Sequence, residues 1–160
     1  MPSGVVQVTV GDINNDGDNE IVCGLNDMTV RIFKYEEGEY ALKYTSPNLG
    51  GYPDAIAVGD LDNDGHKELA VGILTGSTSD NKVIIYDCSI INSWVEEYSQ
   101  ISGVGIHSFV AADCDGDGAL ELFGASGGAS SGITVFEYVG GSYQTTFTRT
   151  PIEVNDLFVK

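Results

Sequence analysis

The chain has 160 residues, of which 24 are acidic and only 7 are basic, so its formal net charge is −17. This length fits one domain with a buried core. Because the sequence has no basic stripe, nucleic acid and anionic membrane surfaces are excluded as favourable partners. No apolar run approaches a membrane span, so we expect no membrane insertion.

The first 50 residues predict four short strands, at about 5–11, 19–24, 28–35 and 39–45. These segments are rich in β-branched and aromatic residues, and Gly, Asn, Asp or Ser separate them. The run "EEGE" indicates a hairpin turn between the third and fourth strands. No segment has a convincing helical period, so we expect an all-β fold.

The same pattern occurs three times along the chain. Similar loops, "DINNDGDNEI", "DLDNDGHKEL" and "DCDGDGALEL", begin at Asp12, Asp60 and Asp113. Each is followed by an apolar run and then by a strand of the type "TVRIFKY", "KVIIYDC" or "GITVFEY". The repeats span about 5–48, 53–102 and 106–150 of a single domain, 1–160. Four antiparallel strands in each ~50-residue repeat predict the blades of a β-propeller.

Residues 152–160 align with the first strand of a repeat, so we expect an incomplete fourth repeat there. Three blades leave open edges, whereas propellers usually have four to eight blades. Two explanations remain open. The chain is either a segment of a longer propeller or one that closes by oligomerisation, most simply as a homodimer with six blades.

The loops have the composition of a calcium site. Acids stand at the first, fifth and ninth positions, and a glycine at the sixth position permits a sharp bend. Acids at odd loop positions number four in each repeat, so 12 of the 24 acids lie in the loops. The expected ligands of about three Ca²⁺ ions, with the seventh position binding through its carbonyl oxygen, are Asp12, Asn14, Asp16, Asp18 and Glu20; Asp60, Asp62, Asp64, His66 and Glu68; and Asp113, Asp115, Asp117, Ala119 and Glu121.

Other metals and loops fit less well. An EF-hand needs helices on both sides and a Glu at position twelve, where this chain has Cys23, Val71 and Phe123. Magnesium demands stricter octahedral geometry, and zinc prefers His or Cys ligands. Solvated turns without any metal are the remaining alternative.

The segments "VGDINNDGDNEIVCG", "VGDLDNDGHKELAVG" and "AADCDGDGALELFGA" resemble FG-GAP/VCBS repeats, which form the blades of integrin-alpha-type propellers and of related microbial surface proteins and lectins. The resemblance covers about 150 residues. It implies structural calcium in the loops between first and second strands, partners on the opposite face, and an extracellular or cell-surface location. Glu stands at the ninth position, where the family usually has Asp.

We therefore expect a calcium-binding module for adhesion to, or recognition of, protein or carbohydrate. The face opposite the calcium loops should carry loops at 26–27, 48–52, 74–81, 103–107 and 126–131, where Tyr52 and His107 are candidate contacts. We expect no enzyme, since catalytic spacings and phosphate loops are absent. The alternative is a non-catalytic architectural or substrate-binding segment of a larger secreted enzyme or surface protein.

Overall fold

The computed structural model describes residues 3–127 and 131–149. Twelve strands lie in these ranges. They are β1 (Val5–Gly11), β2 (Glu20–Leu25), β3 (Val30–Glu36), β4 (Glu39–Thr45), β5 (Tyr52–Gly59), β6 (Glu68–Leu74), β7 (Lys82–Asp87), β8 (Val95–Ile101), β9 (Ile106–Ala112), β10 (Glu121–Ser126), β11 (Gly132–Val139) and β12 (Ser142–Arg149). A single turn of 3-10 helix, Thr78–Asp80, interrupts the loop between β6 and β7.

The strands form three four-stranded antiparallel sheets in simple sequence order, β1–β4, β5–β8 and β9–β12. We call them the first, second and third blades. The all-β prediction is confirmed, and the strands predicted for the first repeat begin and end within two residues of those observed. The predicted hairpin turn between β3 and β4 is also present, with positive φ at Glu37 and Gly38.

The blades share their irregularities as well as their order. A register shift between the third and fourth strands falls at Ile32/Phe33, at Ile85/Tyr86 and at Val135/Phe136, which are equivalent places in the repeat. Such bulges add local twist to a strand pair. The three units are therefore the same structure repeated, as the spacing of the sequence predicted.

The blades pack face to face, and each interface is an apolar layer. Between the first two blades, Val22 and Ile32 pack with Leu69, Val71 and Ile84. A second layer joins the second and third blades through residues that include Ala70, Val83, Ile85, Leu122 and Phe136. These strands are hydrophobic on both faces because a middle blade is covered on both sides.

The described residues form a stack that does not close into a ring, so the outer blades each have a free apolar face. On the first blade, Val8 is exposed, whereas the equivalent residues Ile56 and Phe109 are buried between blades. On the third blade, Ile133 and Phe147 are exposed. The expected fourth first strand at 152–160 lies outside the described residues. In the described part of the chain, no helix has the length and hydropathy of a membrane span.

Candidate metal centre

The three acidic loops connect the first and second strands of each blade and are closed by the same contact. Glu20, Glu68 and Glu121 begin β2, β6 and β10, and their side chains are only 0%, 1% and 6% exposed. Each glutamate accepts a hydrogen bond from the backbone N–H of the second loop residue. The N–O distances are 3.2 Å from Ile13, 2.5 Å from Leu61 and 2.8 Å from Cys114. The ninth position therefore fastens the loop to the strand that follows it.

Inside each loop, the odd-numbered side chains point toward the turn. Asp12 accepts backbone N–H groups from Asp16 and Gly17 at 3.0 and 2.9 Å. The fifth residue accepts the N–H of the seventh, at 3.1 Å in the first loop and at 2.7 and 2.8 Å in the others. The sixth position has φ of +93°, +93° and +94° in the three loops, which is the conformation that requires its glycine.

The second loop gathers three carboxylates. Ligand oxygens of Asp60, Asp62 and Glu68 lie within 4.8 Å of one another, while Asp64 stands outside this group. Burial, reinforced by the neighbouring acids, raises the pKa of Asp62, and burial raises the pKa of Glu68 to about 8. The Oδ1 atom of Asp60 is buried and has no hydrogen-bond partner among the described residues. A buried carboxylate oxygen without a partner is costly unless a water molecule or a cation satisfies it.

The third loop gathers four carboxylates. Oxygens of Asp113, Asp115, Asp117 and Glu121 lie within 4.8 Å of one another, and the first three side chains are exposed to solvent. Four negative charges in so small a space repel one another unless a cation lies among them. This loop matches the predicted side-chain ligand set in full.

The first loop is different, because a lysine side chain reaches into it. The ammonium group of Lys34 contacts the carboxylate of Asp16 and lies 3.4 Å from Asp18 and 3.5 Å from Glu20. The hydrogen bond from Lys34 lowers the pKa of Asp16, whereas burial raises the pKa of Glu20. Among the described residues, only the second and third loops hold a carboxylate group compact enough for a metal ion.

The donors of the second and third loops fit calcium. They are hard carboxylate oxygens on a turn, which Ca²⁺ prefers, and no histidine or thiolate joins them. His66 is exposed, and its backbone N–H donates a hydrogen bond to the carboxylate of Asp64. The backbone N–H of Ala119 donates to Asp117 in the same way. Ligation by the carbonyl oxygens of Asp18, His66 and Ala119 stays a prediction.

Reasoning from the sequence missed Lys34, although a signal was present. Lys34 follows Phe33 in the third strand of the first repeat, and the equivalent residues after Tyr86 and Phe136 are the acids Asp87 and Glu137. In the sheet, Lys34 pairs with Glu20, just as Asp87 pairs with Glu68. This repeat position is therefore positively charged in the first repeat and negatively charged in the other two, which distinguishes the surroundings of the first loop.

On the opposite face, the two candidate contact residues lie at strand starts. Tyr52 is exposed at the first residue of β5, and the imidazole of His107 lies 2.5 Å from the carboxylate of Asp54. Of the loop at 126–131, residues 128–130 lie outside the described residues.

A groove of about 250 Å³ lies between the outer strands of the first two blades. Its wall is aromatic, since the Trp94 ring lies 4.6 Å from that of Tyr44 and 5.4 Å from that of Tyr86. Lys82 and Glu96 add charged groups, and residues 46–49 close one end. Because residues 46–49 connect β4 to β5, this end of the groove lies on the face opposite the acidic loops.

Comparison with known proteins gives one family. Residues 3–71 match the family model described as the FG-GAP-like repeat, and the match runs from the start of the first blade into β6. No curated protein matches the chain significantly. The matched range contains the first two acidic loops and part of the interface between the blades that carry them. Residues 3–71 are therefore similar to the FG-GAP-like repeat, and the three four-stranded sheets are consistent with blades of an open, propeller-like module.

Proposed function

We propose that this protein is a calcium-braced, propeller-like recognition module that binds protein or carbohydrate and performs no catalysis. The observation that carries the proposal is the convergence of carboxylates at equivalent loops of two blades. The second loop brings three together and the third brings four. A repeated structural position with hard oxygen donors supports a structural ion at each place.

The proposed role of calcium is to hold the first two strands of a blade together. In the third loop, the ligands include Asp113, which follows β9, and Glu121, which begins β10. An ion between them links two adjacent strands and offsets the repulsion of four acids. Because the site forms only when the strands pair, binding energy becomes folding energy.

The test is direct binding of calcium to chelator-treated protein by equilibrium dialysis. We expect saturable binding at millimolar calcium, in the range typical of extracellular modules. The variant Asp113→Asn/Asp115→Asn should lose the ion of the third loop, while Asp54→Asn, outside the loops, should bind as the parent does. Equal binding by all three proteins would remove calcium from the third loop.

For ligand recognition, the best-supported surface is the groove of Tyr44, Tyr86 and Trp94. Aromatic walls with a few polar groups are typical of small-ligand sites, and they suit the apolar face of a sugar ring or an apolar peptide side chain. Glycan and protein arrays probed with and without calcium test this role. Binding that Trp94→Ala abolishes supports recognition, whereas no binding to either array favours the architectural alternative within a larger surface protein or secreted enzyme.

We further propose that the free blade faces associate, with a second copy as the simplest partner. Val8 on one free face and Ile133 on the other occupy repeat positions whose equivalents are buried between blades. The free face of the first blade therefore corresponds to one side of an interface between blades, and the free face of the third blade corresponds to the other side. A ring of six blades from two copies requires these two faces to pack together. Light scattering should give a dimer; a stable monomer would contradict this arrangement. An extracellular location agrees with the millimolar calcium that such loops require.

A further inference from the structure

The three acidic loops differ in one feature that lies outside the loops themselves. In the first blade, Lys34 of β3 pairs with the ninth loop residue, Glu20. In the second blade, the equivalent residue of β7, Asp87, pairs with Glu68. Glu137 stands at that repeat position in the third blade. The first loop is therefore faced by a cation, and the other two are faced by acids.

The ammonium group of Lys34 lies among the acids of the first loop. Its ammonium contacts Asp16 and lies within 3.5 Å of both Asp18 and Glu20, which are the fifth, seventh and ninth residues of the loop. Only 13% of the Lys34 side chain is exposed, and the Glu20 side chain is fully buried.

Two carboxylates of the first loop, those of Asp12 and Asp16, already accept hydrogen bonds from protein donors. Both oxygens of Asp12 accept backbone N–H groups, as those of Asp113 do in the third loop. Asp16 differs, because it accepts hydrogen bonds from the Asn14 side-chain amide, at 3.0 Å, and from Lys34. Asn14 supplies a neutral amide at the third position, where the other loops have Asp62 and Asp115. Oε1 of Glu20 in the first loop and Oδ1 of Asp60 in the second are both buried without a hydrogen-bond partner among the described residues, but the Lys34 ammonium lies 3.5 Å from the Glu20 oxygen.

We propose that the Lys34 ammonium takes the place of calcium in the first loop, so that the protein has two calcium loops and one loop braced by its own lysine. A divalent ion entering the first loop has to displace a charged group of the same sign that already contacts three acids. The proposal rests on the proposed calcium function for the other two loops. Its consequence is that the first blade keeps its brace when calcium is removed.

The number of calcium ions bound per chain tests whether Lys34 takes the place of calcium in the first loop. Native mass spectrometry at saturating calcium should find two ions on the parent chain and three on Lys34→Gln, because removal of the ammonium frees the loop. The matched control is Lys43→Gln, which removes a lysine that pairs with Glu36 on the same blade, away from the loop. It should keep two ions. Three ions on the parent, or two on Lys34→Gln, would overturn the proposal.

The reverse exchange is an independent test. Asp87→Lys places a lysine opposite Glu68 and should reduce the parent count from two ions to one. Asp87 accepts the backbone N–H of Ser89 at 2.7 Å, so Asp87→Asn, which keeps an acceptor, is the control and should retain two ions. An unchanged count in Asp87→Lys would contradict the inference that the cation at this position excludes calcium.

A measurement without metal separates this proposal from the proposed function. In excess chelator, Lys34→Gln should melt at a lower temperature than Lys43→Gln, and adding Asp16→Asn to Lys34→Gln should recover part of the loss. That coupling supports the lysine brace even if the parent binds no calcium, an outcome that would refute only the proposed function. Additive effects of the two substitutions would overturn the brace.

Discussion

Substitution of Gly24 by alanine tests the close stacking of blades. Gly24 lies in β2, where the strand faces β5 of the second blade. A methyl group added there would lie 2.6 Å from the carbonyl oxygen of Pro53 and 3.0 Å from its Cγ atom. Because the nearer atom belongs to the backbone, β5 has to move away from the first blade.

The expected cost follows from these contacts. Overpacking in a protein interior costs about 1–3 kcal/mol, and the involvement of backbone places Gly24→Ala near the upper end. The lower entropy of an unfolded alanine chain offsets about 0.4–1 kcal/mol. A net loss of about 2 kcal/mol corresponds to a decrease in Tm of roughly 4–8 °C for a protein of this size.

Thermal and urea unfolding followed by circular dichroism, both in excess calcium, measure this loss. Gly76→Ala is the control, because a methyl group at Gly76 meets nothing within 4 Å and the residue does not have positive φ. We expect its Tm to be unchanged or slightly raised. If Gly24→Ala and Gly76→Ala have the same melting temperature, the two blades do not approach each other as closely as described.

Three further predictions concern the core, the groove and the response to acid. Leu69→Ala, at a fully buried position between the first two blades, should lower the free energy of unfolding by about 2–5 kcal/mol in urea titrations, and a loss below 1 kcal/mol would contradict that interface. Trp94→Ala removes two aromatic contacts and should lower the free energy of unfolding by about 1–3 kcal/mol in the same titration. An unchanged free energy of unfolding would mean that the packing of Trp94 against Tyr44 and Tyr86 does not stabilise the fold. Hydrogen bonds from Ser3 and Thr29, together with Arg31, lower the pKa of Asp27, so its contribution is present above the unfolded pKa near 3.8 and is lost as pH falls through the lower folded pKa. Asp27→Asn should therefore flatten the loss of stability in that acid window, and an unchanged slope would remove Asp27 from the acid response.

Much of the fold could be predicted because the repeat constrains it. Alternating β-branched and aromatic residues located the strands, and the glycine at the sixth loop position fixed the turns between first and second strands. Glu20, Glu68 and Glu121 were predicted as ligands, and each begins its strand as expected. Their second role, accepting the N–H of the second loop residue, depends on burial that no local pattern reveals.

The features that escaped prediction arise from contacts across strands and blades. Lys34 is 14 residues from Glu20 in sequence, and only the pairing of β2 with β3 brings them together. The aromatic groove likewise requires Tyr44 of one blade to meet Trp94 of the next. Composition and spacing describe one repeat at a time, whereas these sites depend on the register and stacking of several.

The melting temperature of the chelator-treated protein, measured with and without added calcium, tests the central claim most directly. With dissociation constants of about 10⁻⁴–10⁻³ M and ~10 mM calcium, two structural sites contribute roughly 3–5 kcal/mol, or about 6–20 °C. The rise should shrink in Asp60→Asn and nearly vanish in Asp60→Asn/Asp113→Asn. An identical melting temperature in calcium and in chelator would contradict the calcium brace.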